Sequence, residues 1–143
     1  MNNCKSLILL IWFIPLTACV NVVDKGANKA DLKPSVMIEG EYQGKMATYL
    51  SYNTEDYPCF KIKLGESGSK EFCSFTDEIG EVTDARKDVS AISYKNVKFT
   101  KDALKLVMDI SARGPGRFFL DCTISFSDFV NSEPRCTFRD AEY

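Results

Sequence analysis

Cys59 and Cys73 are separated by thirteen residues, and so are Cys122 and Cys136. Each pair lies among segments whose apolar residues alternate with polar ones. Alternation places every second side chain on one face of a β-strand, whereas a helix would need a period of 3.6. Four cysteines allow three connectivities. The pairing 59–73 with 122–136 is preferred, because each pair can then face across a hairpin. Zinc is the competing use of such a set. It is disfavoured by the lack of any CxxC pair and of any histidine. A loop of about 15 residues closed by a disulfide gains roughly 3 kcal/mol in the chain-entropy model, so two bridges would weigh heavily in a domain of this size.

The alternation predicts strands along most of the chain. Val36, Ile38 and Tyr42 share one parity, which Met46, Thr48 and Leu50 keep. Gln43-Gly44 between them is either a tight turn or a glycine bend. Phe60, Ile62 and Leu64 alternate with Lys61 and Lys63. Gly65-Glu66-Ser67-Gly68 turns the chain, and Glu71 to Phe75 returns. Thr76 to Asp88 is polar and acid-rich, and is expected to be a long loop with one helical turn. Ile92 and Tyr94 share a parity and Val97 and Phe99 take the other, which implies a bulge near Lys95-Asn96. Leu104, Leu106, Met108 and Ile110 form the next strand. Gly114-Pro115-Gly116-Arg117 fits a type II turn, and Phe118, Leu120, Cys122, Ile124 and Phe126 alternate without a fault. Cys136 and Phe138 close the sheet. The expectation is an all-β, single antiparallel domain of seven or eight strands with two disulfides. Sandwich and barrel both remain open, with the sequential turns favouring a barrel-like meander. C-x13-C-[ST]-F also occurs twice, offset by 63 residues, which raises the prospect of two similar halves.

Ser6 to Leu16 is almost wholly apolar, follows a single lysine at Lys5, and leads through small residues to Leu16-Thr17-Ala18-Cys19. Eleven helical residues reach about 16 Å, about half of a hydrocarbon core. That is the length of a signal peptide and too short for a spanning helix. The segment resembles a bacterial lipoprotein signal with its lipobox, over Met1 to Val20 only. The resemblance implies a signal peptide over 1–18 and lipidation of Cys19. Several acyl chains there would hold the protein to a bilayer. Val20, where an inner-membrane protein of this class tends to carry Asp, implies the outer membrane with the body facing the periplasm; surface exposure is the other possibility. Residues 19–34 then read as the lipidated cysteine and a flexible tether, and 35–143 as the β domain. Cys4 would leave with the signal and Cys19 would carry lipid. An even set of four cysteines then stands in an oxidising compartment.

Loss of 1–18 removes Lys5 and moves the formal charge from −2 to −3. An acidic chain is a poor partner for nucleic acid and suits a basic protein. With no histidine, no Ser/His/Asp set is possible, and no metal or cofactor motif is present. The only tryptophan, Trp12, lies in the signal, so tyrosine and phenylalanine must serve as any binding anchor. The chain is therefore expected to bind rather than to catalyse.

The contact residues expected from these considerations fall in three places. Tyr52 and the acidic loop Glu55-Asp56-Tyr57 could dock a basic cleft. Asp77 and Glu78, with Glu81 and Asp84, could extend the same surface. Arg113 and Arg117 flank the Gly-Pro-Gly turn and could grip an anion. Small size, stapling, acidity and a tether together look like the general class of envelope immunity proteins and lysozyme inhibitors. That resemblance implies a lipoprotein that blocks a toxin effector or wall hydrolase. An assembly or accessory lipoprotein of a secretion or exclusion machine is the alternative, and a small-ligand carrier the third.

Overall fold

The computed structural model describes residues 32–66 and 68–139. The expected signal peptide, the Cys19 anchor and residues 19–31 of the tether lie outside the described residues. Within them the protein is all-β. The first sheet is a meander of β1 (Val36–Tyr42), β2 (Lys45–Ser51), β3 (Phe60–Leu64) and β4 (Ser69–Phe72). The second contains β5 (Ser74–Thr76), β6 (Val82–Asp84), β7 (Val89–Phe99), β8 (Ala103–Ala112), β9 (Arg117–Ser125) and β10 (Arg135–Phe138), in the order β6-β5-β10-β9-β8-β7.

The ten strands in two sheets replace the seven or eight expected in one. The segment Glu71–Phe75, expected as a single strand, is two. Phe72 and Phe75 are both buried although their spacing puts them on opposite parities. The chain satisfies both by leaving the first sheet at Cys73 and entering the second. The stretch from Thr76 to Asp88, expected as loop, contains β6, whose Ser74↔Asp84 and Thr76↔Val82 pairs extend the second sheet. Its acidic composition conceals a strand of only three residues. The expected helical turn there is a hydrogen-bonded turn, in which Lys87 and Asp88 donate N–H to the Asp84 carbonyl. The sheet is also not purely antiparallel, since β10 meets β5 in parallel at Arg135↔Thr76.

Two other local expectations hold and one fails. Gln43 and Gly44 both adopt positive φ, 50° and 73°, which makes the β1–β2 link a tight primed hairpin turn rather than a bend. Asn96 lies at φ 51° within a register shift between Lys95 and Lys98, the bulge expected from the parity switch. Gly116 does not adopt positive φ, so the expected type II turn is absent. The glycine serves another purpose: a β-carbon there would come within 2.9 Å of the Phe118 ring, which folds back over the turn.

Both disulfides are the preferred ones, Cys59–Cys73 and Cys122–Cys136. Cys122 and Cys136 are direct cross-strand partners of β9 and β10. Cys59 and Cys73 lie one position beyond the Phe60↔Phe72 pair of β3 and β4. The offset C-x13-C repeat thus has a structural counterpart. Each sheet contains a four-stranded meander, β1–β4 or β7–β10, stapled between its third and fourth strands.

One core lies between the sheets. Tyr49, Phe60 and Ile62 of the first meet Leu104, Met108 and Ile124 of the second, all essentially inaccessible to water. Large apolar side chains buried in this way contribute about 1.5–3 kcal/mol each. Phe60 stacks on Phe72 at 5.2 Å and meets the edge of Tyr94 from β7 at 5.0 Å. The Tyr94 hydroxyl then donates to the Pro58 carbonyl at 2.7 Å, pinning the second sheet to the β2–β3 connection.

Candidate protein-binding pocket

β9 alternates cleanly, yet its first inward residue is not covered. Leu120, Cys122 and Ile124 are buried, while Phe118 on the same face keeps 43 % of its surface exposed. Phe138 of the adjacent β10 is 51 % exposed. The two rings meet edge-on at 6.1 Å. With Phe75, Ile110, Ala112, Leu120 and Val89 they line a cavity of about 270 Å³. Every lining residue comes from the second sheet or its connections, so the first sheet leaves this end of the apolar face open.

The rim carries Asp77, Glu81 and Asp88, and neither lysine nor arginine lines the cavity. Local chemistry fixes the loop that presents these acids. The Asp77 carboxylate accepts the N–H groups of Ile79 at 3.0 Å and Glu81 at 2.8 Å, and Gly80 supplies the positive φ that closes the turn. Asp88 accepts the Asp84 N–H at 2.7 Å. Glu81 lines the cavity and makes no side-chain hydrogen bond or ion pair among the described residues. The described residues contain no group of three His, Cys, Asp or Glu able to hold a metal. The pocket therefore offers aromatic surface within an acidic rim, a combination suited to the aliphatic stem and charged head of a lysine or arginine.

The residues expected from sequence fall into five surroundings. Asp77 shapes the pocket rim and Glu78 is exposed beside it. Tyr52 is buried at 7 %, packed edge-on against Tyr57 at 5.1 Å, with Lys61 over its ring. Tyr57 donates its hydroxyl to Glu71, and burial followed by that carboxylate pushes its pKa up. Both tyrosines are thus spent on internal packing. Glu55 and Asp56 are exposed in a turn closed by Asn53, whose side chain donates to Asp56 at 2.7 Å. Arg117 grips Asp109 with two hydrogen bonds of 2.7 and 2.6 Å on the opposite face of the second sheet. Arg113 is exposed in the turn, without an ion pair among the described residues.

The two acidic regions are linked. Ala85 donates to the Cys73 carbonyl at 2.8 Å, which holds the Asp84–Asp88 turn against the first disulfide. Arg86 in that turn pairs with Asp84 at 2.8 Å and lies near enough to Tyr57 and Glu71 to interact with both electrostatically. Sequence reasoning named Asp77 and Glu81 and missed Asp88, Phe118 and Phe138 as contact residues. Their alternation signals an inward face, and only the relative lengths of the two sheets show that the face is uncovered.

No protein family, curated protein or solved structure proves similar enough to this chain to provide a relative.

Proposed function

We propose that this chain is a membrane-tethered lipoprotein of the bacterial envelope that binds a basic protein and blocks it, as an immunity protein or wall-hydrolase inhibitor does. The observation that carries this reading is the Phe118–Phe138 pocket, rimmed by Asp77, Glu81 and Asp88 with no cation among its lining residues. Aromatic anchors in a pocket supply binding energy, and uncompensated carboxylates at the mouth select and steer a positively charged partner. The stapled scaffold holds both in place before binding, so little ordering entropy is lost. Occlusion needs no catalytic group: one lysine or arginine of the partner enters the cavity while the surrounding acidic turns cover its active cleft. The lipid on Cys19 and the tether give the domain reach from the membrane.

The test is site-specific photo-cross-linking in the living parent bacterium, with the photoreactive residue at Phe138 and a control at Thr48 on the first sheet. The expected product at Phe138 is a basic toxin or wall hydrolase whose purified activity falls on addition of this protein. A cross-link to a resident secretion or assembly component would support the accessory-lipoprotein alternative instead. No protein product at Phe138 would refute both.

A further inference from the structure

The outer face of the second sheet carries a second site of opposite character. Strand register places Lys98 directly opposite Lys105, Lys105 opposite Thr123, and Thr123 opposite Arg135. These residues form one row across β7, β8, β9 and β10. Like charges directly opposite on neighbouring strands repel and destabilise the pair. Elsewhere on the face that cost is avoided. Lys95 and Arg117 share Asp109 at 2.6 Å each, and Arg139 pairs with Asp121. Lys98, Lys105 and Arg135 make no ion pair among the described residues, and all three are exposed. They line a groove of about 640 Å³ together with Thr123, Thr137, Asp77, Glu78 and the ion-paired Asp121 and Arg139.

The dimensions of the row define the ligand. Neighbouring strands are about 4.8 Å apart, so three spacings from Lys98 to Arg135 cover roughly 14 Å. A ligand with two phosphates matches that length better than a lone phosphate, which would have to draw the Lys98 and Arg135 side chains together at mid-row. Three cations suit more negative charge than one carboxylate carries, whereas a phosphate monoester brings about −1.5 to −2 at neutral pH. The groove is not uniformly basic, since Asp77, Glu78 and two threonines offer acceptors to hydroxyl groups, while Asp121 is taken by Arg139. A bare polyphosphate has no hydroxyl donors to use them and would be repelled by Glu78.

We propose that the Lys98–Lys105–Thr123–Arg135 row is a binding site for a sugar carrying two phosphate groups, with the cations holding the phosphates and the groove wall holding the hydroxyls. The site shares Asp77 with the rim of the aromatic pocket but opens on the outer face of the sheet, and it does not rest on the inhibitor reading.

Calorimetric titration of the full-length chain with fructose 1,6-bisphosphate tests the site, with inorganic phosphate and fructose as separate arms. The bisphosphate is expected to bind at least tenfold more tightly than inorganic phosphate, and fructose not to bind measurably. Lys105→Glu should lower bisphosphate affinity at least tenfold, and Lys63→Glu on the first sheet should leave it unchanged. Lys105→Gln, which keeps the strand and removes the repulsion, should lose affinity while melting no lower than the parent. Absence of binding at millimolar bisphosphate, equal affinity for inorganic phosphate, or equal loss from Lys63→Glu would each overturn the proposal.

Discussion

Phe99 lies across Gly40 so closely that a β-carbon on Gly40 would stand 2.4 Å from its ring. Gly40 is in β1 and Phe99 ends β7, so this contact closes the seam where edge strands of different sheets approach without a hydrogen-bonded ladder. The ring also packs against Phe126 at 6.1 Å, which limits its freedom to move aside. Gly40→Ala is expected to destabilise the protein by about 1–3 kcal/mol, the usual cost of overpacking. Restoring room with Phe99→Leu in the Gly40→Ala background should recover part of the loss, which denaturant unfolding of the single and double variants would measure.

The two disulfides predict different phenotypes. Removing Cys122–Cys136 by double alanine substitution should cost roughly 3 kcal/mol, because it unlinks two strands that remain paired on both sides. Removing Cys59–Cys73 should cost a similar amount and also loosen the acidic rim. Cys73 is where the chain passes between sheets, and its carbonyl anchors Ala85 in the turn that bears Asp88. Amide exchange should therefore rise across residues 84–88 only in the Cys59/Cys73 variant. Equal protection of that turn in both variants would refute the link.

Acid should weaken the fold through Asp109 and Asp84. The Arg117 guanidinium, with Lys95, holds the Asp109 carboxyl well below the usual carboxylate range despite burial. Arg86 lowers Asp84 to about 2. Each group binds its proton more weakly in the folded than in the unfolded chain. The stability it contributes is therefore complete above about pH 4 and falls away as pH drops to about 2 and below. Asp109→Asn should flatten the acid limb of the stability curve and lower its neutral plateau. An acid limb of unchanged steepness in circular-dichroism melts would show that Asp109 does not report the transition.

The longer strands, the Asn96 bulge and both disulfide pairings were legible because each has a local signature: a parity, a parity switch, or a pair of cysteines at hairpin spacing. The division into two sheets was not, because strand direction at Cys73 is decided by partners far away in sequence. Its trace was present in Phe72 and Phe75, two apolar residues three apart, which one flat strand cannot bury together. Tyr52 and Tyr57 looked like anchors from loop composition, and packing against each other, with a hydrogen bond to Glu71, directs them inward instead. Exposure of Phe118 and Phe138 depends on where the first sheet stops, a property no local pattern encodes.

The aromatic pocket makes a prediction that separates anchoring from steering. Phe138→Ala removes half of the ring pair and should weaken partner binding by about 2 kcal/mol, roughly 30-fold, chiefly through faster dissociation. Glu81→Lys places a cation at the cavity mouth without touching the core, because Glu81 is exposed and uncommitted. It should reduce the association rate more than Phe138→Ala does, and its effect should shrink as salt is raised. Glu55→Lys, in the more distant acidic turn, should change the rate only slightly and also in a salt-dependent way. Surface-plasmon resonance against the partner captured at Phe138 distinguishes these outcomes. If Glu81→Lys slowed dissociation or left association untouched at low salt, the acidic rim would not be the steering element.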